Sequence, residues 1–171
     1  MATETQVMIP APFRAVAVIG AGACDDEVAA DAREVGRLLA LEGLALVCGG
    51  LGGVMEAACE GAYQAGGLTI GILPGANPLD ANAYVRVPIA TGLGEARNAL
   101  VVRTADVVIA IGGEYGTLSE IGFARKLGKL VVGIGTWELD HPTFAGPHVL
   151  LAGSAEEAVR AVAAVVKTSR G

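Results

Sequence analysis

Short apolar segments rich in β-branched residues alternate along the chain with segments of helical periodicity. This alternation predicts a single α/β domain: a doubly wound, mainly parallel sheet with helices on both faces. Two further observations support it. The strand segments, such as Ala15-Val-Ala-Val-Ile-Gly20 and Val107-Val-Ile-Ala-Ile111, carry no polar alternation, as expected of strands covered on both faces. Glycine supplies 25 of 171 residues and gathers where a strand hands over to a helix, which suits tight turns and close backbone approach. A chain of this length is one domain, expected over 14–168, with 1–13 (holding Pro10 and Pro12) as a flexible N-terminal tail.

The elements follow in order. The first strand is 15–20. Asp25 and Asp26 open a helix in which Val28, Ala32, Val35 and Leu39 recur at helical spacing until Gly43. A strand over 44–48 meets the turn 49–53, which leads into a helix through Met55, Ala58 and Ala62, ending at Gly66-Gly67. Strands are expected at 68–73 and 84–88 around a Pro/Asn loop, then a helix over 92–104 and a strand at 106–111. The turn 112–116 starts a helix over 117–127, followed by a strand at 129–134, a polar loop over 136–147 and a short strand at 148–151. Ser154 with Glu157 three residues on is a capping-box pattern, which starts the last helix through Ala158, Val162 and Val165.

Composition excludes several classes. The net charge is −6 and the 12 basic residues are scattered singly, so duplex DNA or RNA, which needs a Lys/Arg patch, is not an expected partner. Cys24, Cys48 and Cys59 form no CxxC pair, which argues against a disulfide framework or metal site. No apolar run approaches the ~20 residues of a membrane span, and no secretory signal is legible at the N-terminus. The cytosol is the expected compartment.

In an open parallel sheet, ligands bind beyond the carboxyl ends of the strands where strand order reverses. Three glycine-rich turns fall at such ends: Gly20-Ala-Gly22, the stretch with Gly49, Gly50, Gly52 and Gly53, and Gly112-Gly113-Glu114-Tyr115-Gly116-Thr117. Each precedes a helix, whose N-terminus offers unpaired amides and a positive dipole end to an anion; the alternative is that the glycines only make turns. The first turn reads GxGxxD, and no acidic ribose-gripping residue ends the second strand, so a dinucleotide dehydrogenase is not expected. No GxxxxGK[ST] exists. None of Lys126, Lys129 and Lys167 stands at a glycine-rich strand end, so no Schiff-base lysine is indicated.

Two charged residues stand out. Glu120 is either a carboxylate beside a bound anion or sugar, or the second half of a capping box with Thr117. Arg97 lies in a mostly apolar segment, where it needs an anionic partner such as Glu95 or Glu120, or else snorkels to the surface. His141 and His148 lack metal-ligand spacing and read as structural or surface residues. Trp137 reads as packing under the 136–147 loop rather than as a stacking platform.

The segments VCGGLGGVMEAACEGAYQAGG (47–67), TIGILPG (69–75), GLGEARN (92–98) and IGGEYGTLSEIGFARKLGKLVVGIG (111–135) resemble the LOG-like (SLOG) superfamily over roughly 14–166. The resemblance is to the bacterial branch similar to molybdenum cofactor carriers more than to the phosphoribohydrolases that cleave cytokinin riboside 5′-monophosphates. It implies a Rossmann-like homo-oligomer with a nucleotide-type phosphate site that includes Met55 and Asn98. In the hydrolases the motif is PGGxGTxxE, with an arginine on the preceding helix; Arg97 and Glu120 match the two active positions. Ile111 replaces the proline, and Glu114-Tyr115 lengthens the spacing as in the carrier-type branch. The expected function is binding of a nucleotide-like phosphorylated ligand. The alternatives are a phosphoribohydrolase using Arg97 and Glu120, and a carrier or sensor of a pterin-type cofactor. No cofactor is expected to be required; the ligand would be a nucleotide, phosphate or molybdenum cofactor. The decarboxylase label once given to many superfamily members finds no support in these residues.

Overall fold

The computed structural model describes residues 13–140, 142–143 and 146–168. Residues 1–12 of the expected tail, and His141, lie outside the described residues. Seven strands form one sheet: β1 (Ala15–Gly20), β2 (Ala45–Cys48), β3 (Thr69–Leu73), β4 (Val87–Ala90), β5 (Val107–Ile111), β6 (Val131–Ile134) and β7 (Leu150–Leu151). Their order is β4-β3-β2-β1-β5-β6-β7, and every pairing is parallel. The chain steps outward from β1 to β4, crosses back and steps outward again from β5. Strand order therefore reverses between β1 and β5, where Gly20 pairs with Ile111.

The helices are α1 (Asp26–Leu41), α2 (Val54–Gln64), α3 (Asn98–Thr104), α4 (Tyr115–Lys126) and α5 (Ala155–Thr168). Side chains alternate across each strand, so β1, β2, β5 and β6 each feed two cores. Val16, Val18, Leu46 and Ile109 pack under α1, α2 and α5 through Val35, Leu39, Ala58 and Val162. Ala17, Ile19, Val47 and Val108 pack under α3 and α4 through Val101, Val102, Ile121 and Ala124. This two-faced burial is the physical reason the strands read as continuous apolar runs.

Boundaries differ where tertiary bonds outrank local pattern. The strand expected at 84–88 starts at Val87, because the Thr69 hydroxyl donates to Tyr84 O (2.6 Å) and accepts from Arg86 N–H (2.9 Å). That clasp holds 84–86 as a turn. The helix expected over 92–104 is a single 3₁₀ turn, Gly94–Arg97, followed by the seven-residue α3. The strand expected at 148–151 is limited to two residues. At α5, Glu157 N–H donates to Ser154 Oγ (3.2 Å), while the Glu157 carboxylate accepts from Gly153 N–H (2.8 Å). The return bond of the capping box thus lands one residue upstream.

Lys129 locks α3 onto the sheet. Its ammonium donates to the carbonyls of Val102 (2.7 Å), Arg103 (3.0 Å) and Ala105, which are groups a helix C-terminus leaves unpaired.

Candidate functional site

The carboxyl edge of the sheet holds a cavity of about 280 Å³ at the β1–β5 reversal. Its walls come from five connections: Val18 to Gly22 from β1 onward, Gly49, Leu51 and Met55 between β2 and α2, Pro74 after β3, Glu95, Arg97 and Asn98 before and into α3, and Glu114, Gly116, Thr117 and Glu120 at α4.

Arg97 reaches this cavity because the segment before it is stitched to the end of β3. The Thr91 hydroxyl donates to Leu73 O (2.7 Å), Gly92 N–H to Gly75 O (2.9 Å) and Gly94 N–H to Pro74 O (3.0 Å). The 3₁₀ turn then brings Arg97 inward, where the residue is only 8% exposed. One Nη donates to Asn98 Oδ1 at 2.9 Å and stands 4.0 Å from a Glu120 oxygen. The Nε is buried with no hydrogen-bond partner. A buried guanidinium donor left unpaired is costly. Burial lowers the Arg97 pKa, and Glu120 and Cys48 oppose the shift. The snorkelling alternative is excluded, and of the two expected partners Glu120, not Glu95, is the one within ion-pair distance.

Glu120 is also buried, and its carboxyl is pushed up to about 7 by desolvation, against the opposing pull of Arg97. The capping-box reading of Thr117 and Glu120 is overturned. Helix α4 starts at Tyr115 with Glu114 as N-cap, so Thr117 is already helical and Glu120 lies in the second turn, facing Arg97. The Glu114 side chain makes no capping hydrogen bond. The first-turn amides, with no acceptor inside the helix, are therefore left without a side-chain cap, and Gly116 and Thr117 line the cavity.

The other two turns offer less to an anion than expected. At α1, Asp25 caps Val28 N–H at 2.9 Å, and Asp26 and Glu27 fill the first turn. At α2, the Val54 amide donates to Ala21 O (3.1 Å). Gly53 has φ +62°, and a Cβ there would stand 2.4 Å from Ala21 O. Gly52 faces Gly22 O in the same way (3.2 Å), so this pair serves loop-on-loop packing. Gly50 N–H is taken by Cys48 Sγ (3.3 Å) and Gly50 O accepts from Asn82 N–H (2.9 Å). The amide of Gly112, expected to face an anion, donates instead to Ile134 O (2.9 Å).

Of the expected ligand-binding residues, the structure brings Gly20, Gly22, Gly49, Met55, Arg97, Asn98, Glu114, Gly116, Thr117 and Glu120 around one cavity. Gly50, Gly52, Gly53, Gly112, Gly113 and Tyr115 stand outside its wall. Gly20 and Gly49 are tightly placed members: a Cβ at Gly20 would meet Val54 at 2.5 Å and Ile111 O at 2.7 Å, and one at Gly49 the Arg97 guanidinium at 2.5 Å and Met55 Sδ at 2.7 Å. Val18, Ile19, Ala21, Leu51, Pro74 and Glu95 also line the cavity and lie outside the expected set. Pro74 was findable, since it follows the parallel strand β3 and precedes Gly75.

An open, all-parallel α/β domain with a cavity at its strand-order reversal belongs to the class of α/β domains whose ligand sites lie at the carboxyl edge of the sheet. The chain is a member of the SLOG cluster4 family, whose model matches residues 13–166. It is similar to an uncharacterized protein of Archaeoglobus fulgidus, 48% identical over 119 residues, 70% of this chain and 78% of that one. Among solved structures it resembles the molybdenum cofactor binding protein of the phototrophic bacterium Rippkaea orientalis, with TM-score 0.83 and 36% identity over 91% of this chain and 98% of that one. It also resembles the molybdenum cofactor carrier protein of Chlamydomonas reinhardtii, with TM-score 0.78 and 32% identity over 92% and 100% of the two chains. Among the described residues no helix is long and apolar enough to cross a membrane, and no group of three His, Cys, Asp or Glu side chains is placed to hold a metal ion.

Proposed function

We propose that this protein binds and carries a nucleotide-like phosphorylated ligand at the carboxyl edge of its sheet, with the phosphate between Arg97 and the first turn of α4. The observation that carries this reading is the buried, unpartnered Arg97 Nε beside a helix start whose N-cap side chain makes no capping bond. Gly22 and Gly116 present open space where a side chain would stand, so a ligand can lie directly against the backbone there. The molybdenum cofactor is a phosphorylated pterin, and its phosphate fits this donor set. The likeness to two structures described as binding or carrying that cofactor supports a carrier role over hydrolysis.

The test is calorimetry with AMP and with sulfate, combined with chromatography of the AMP mixture after prolonged incubation. Saturable binding of both anions without release of adenine is expected. Adenine and ribose 5-phosphate appearing at a rate that Glu120→Gln abolishes would establish the phosphoribohydrolase instead. Absence of binding at millimolar concentration would refute the anion site.

Assembly is part of the proposal. Val101 and Val102 pack α3 on the sheet, while Leu93 (54% exposed) before it and Phe123 (43% exposed) on α4 remain open. At least a homodimer across this face is expected, and a monomeric mass by light scattering at micromolar concentration would refute it.

A further inference from the structure

Tyr115 is 80% exposed, yet its ring is held. The ring centroid lies 5.7 Å from that of Trp137, tilted by 40°. Trp137 is half-buried against the core under α3 and α4, and its indole N–H donates to Glu114 O at 3.3 Å. Trp137 thus anchors both the residue before Tyr115 and one side of its ring, and the rest of the ring is left to solvent. The chain neighbours on either side, Glu114 and Gly116, both line the cavity. Tyr115 itself stands outside the cavity wall, between two residues that line it, with its ring turned to Trp137 beyond the end of β6.

The cavity, about 280 Å³, falls just below the ~300–1,000 Å³ of pockets that enclose a whole ligand. The cavity is open to solvent on one side, so a ligand whose phosphate sits at Arg97 can extend its ring system past the rim. We propose that Tyr115, backed by Trp137, is an aromatic lip on which the planar fused ring of the ligand stacks. This assignment rests on the anion site proposed above. Stacking on a π face tolerates changes in ring substituents, so purine and pterin rings both qualify; the lip requires a flat heteroaromatic ring. Trp137 keeps its packing role and gains a second one, since it presents the Tyr115 ring.

Trp137 is the only tryptophan of the chain, so tryptophan emission reports this place alone. The experiment titrates the full chain with AMP, ribose 5-phosphate and sulfate, following heat and emission together. AMP is expected to bind about tenfold tighter than ribose 5-phosphate and to change the emission, which ribose 5-phosphate leaves unaltered. Tyr115→Ala should erase the difference in affinity by weakening AMP alone, and Tyr115→Phe should keep it. If AMP and ribose 5-phosphate both bind and their ratio is the same in Tyr115→Ala, the lip is refuted while the anion site stands. If none of the three probes binds, the anion site fails and the lip with it.

Discussion

Arg97 and Glu120 face each other across 4.0 Å, Nη1 to Oε1, with each side chain less than a tenth exposed. That separation is too long for a hydrogen bond. The guanidinium is therefore left with donor capacity, and the carboxyl is not fully compensated for its burial. A bidentate ion pair would occupy two of the five guanidinium donors; at 4.0 Å Glu120 occupies none of them.

Replacing the cation should remove the site. Arg97→Gln is expected to weaken sulfate binding by about tenfold or more, since hydrogen bonds to charged groups contribute roughly 1.5–3 kcal/mol. Isothermal calorimetry measures this, and an unchanged affinity would place the anion elsewhere.

Glu120 predicts a pH dependence of definite sign. Its carboxyl titrates at about 7 in the folded protein against an ordinary 4.5, so the folded state holds a proton the unfolded chain has released. The stability this group contributes is complete below pH ~4.5, declines as pH rises to about 7, and is level above that. Urea denaturation from pH 5 to 8 should show the native chain losing up to roughly 3 kcal/mol relative to Glu120→Gln. Parallel curves for the two would mean that Glu120 ionises freely. Sulfate, which does not titrate in this range, should bind the native chain more tightly at pH 6 than at pH 8, and bind Glu120→Gln equally at both.

Glu114 is exposed and belongs to the cavity wall. A like charge within ~5 Å of a phosphate costs about 1 kcal/mol or more, and Glu114→Gly removes it at a position where glycine is also a good N-cap. AMP affinity should rise by up to about tenfold. Equal affinities in low salt, where screening is weakest, would show that the side chain points away.

Gly49 and Gly22 separate packing from ligand space. Gly49→Ala must displace the Arg97 guanidinium, 2.5 Å from the new methyl, so anion affinity should fall while the fold survives. Gly22→Ala meets nothing within 4 Å. Its melting temperature should match the native chain, and any loss of AMP affinity would then come from the ligand itself.

Lys129→Met should lower stability by about 2 kcal/mol, because three carbonyls lose one charged donor. Thermal unfolding would register this as a drop of several degrees. No change would mean water replaces the ammonium at no cost.

The strands of the two-faced sheet were legible because burial on both sides leaves a local, composition-level mark, as in Val107–Ile111. Arg97 and Glu120 were legible as charges that an apolar setting must answer for. What was not legible depended on partners distant in sequence. Whether the Gly112 amide is free is decided by Ile134, and whether 84–86 is strand or turn is decided by the Thr69 hydroxyl. The capping-box pattern at Thr117 and Glu120 was locally sound, but α4 begins two residues before it, and the same spacing then turns Glu120 inward to Arg97.

The place of β1 in the sheet has a consequence for how the protein folds. The β1–β5 ladder joins Val16 to Val107 and Gly20 to Ile111, residues about ninety positions apart, and the cavity exists only once that ladder is closed. Half of the chain, however well ordered, holds half of a site. Such distant pairing is slow to form, and a chain that lacks it has no complete cavity. A ligand held there acts on the equilibrium of the whole chain, and raising its concentration should shift the complete unfolding transition by mass action rather than protect one segment.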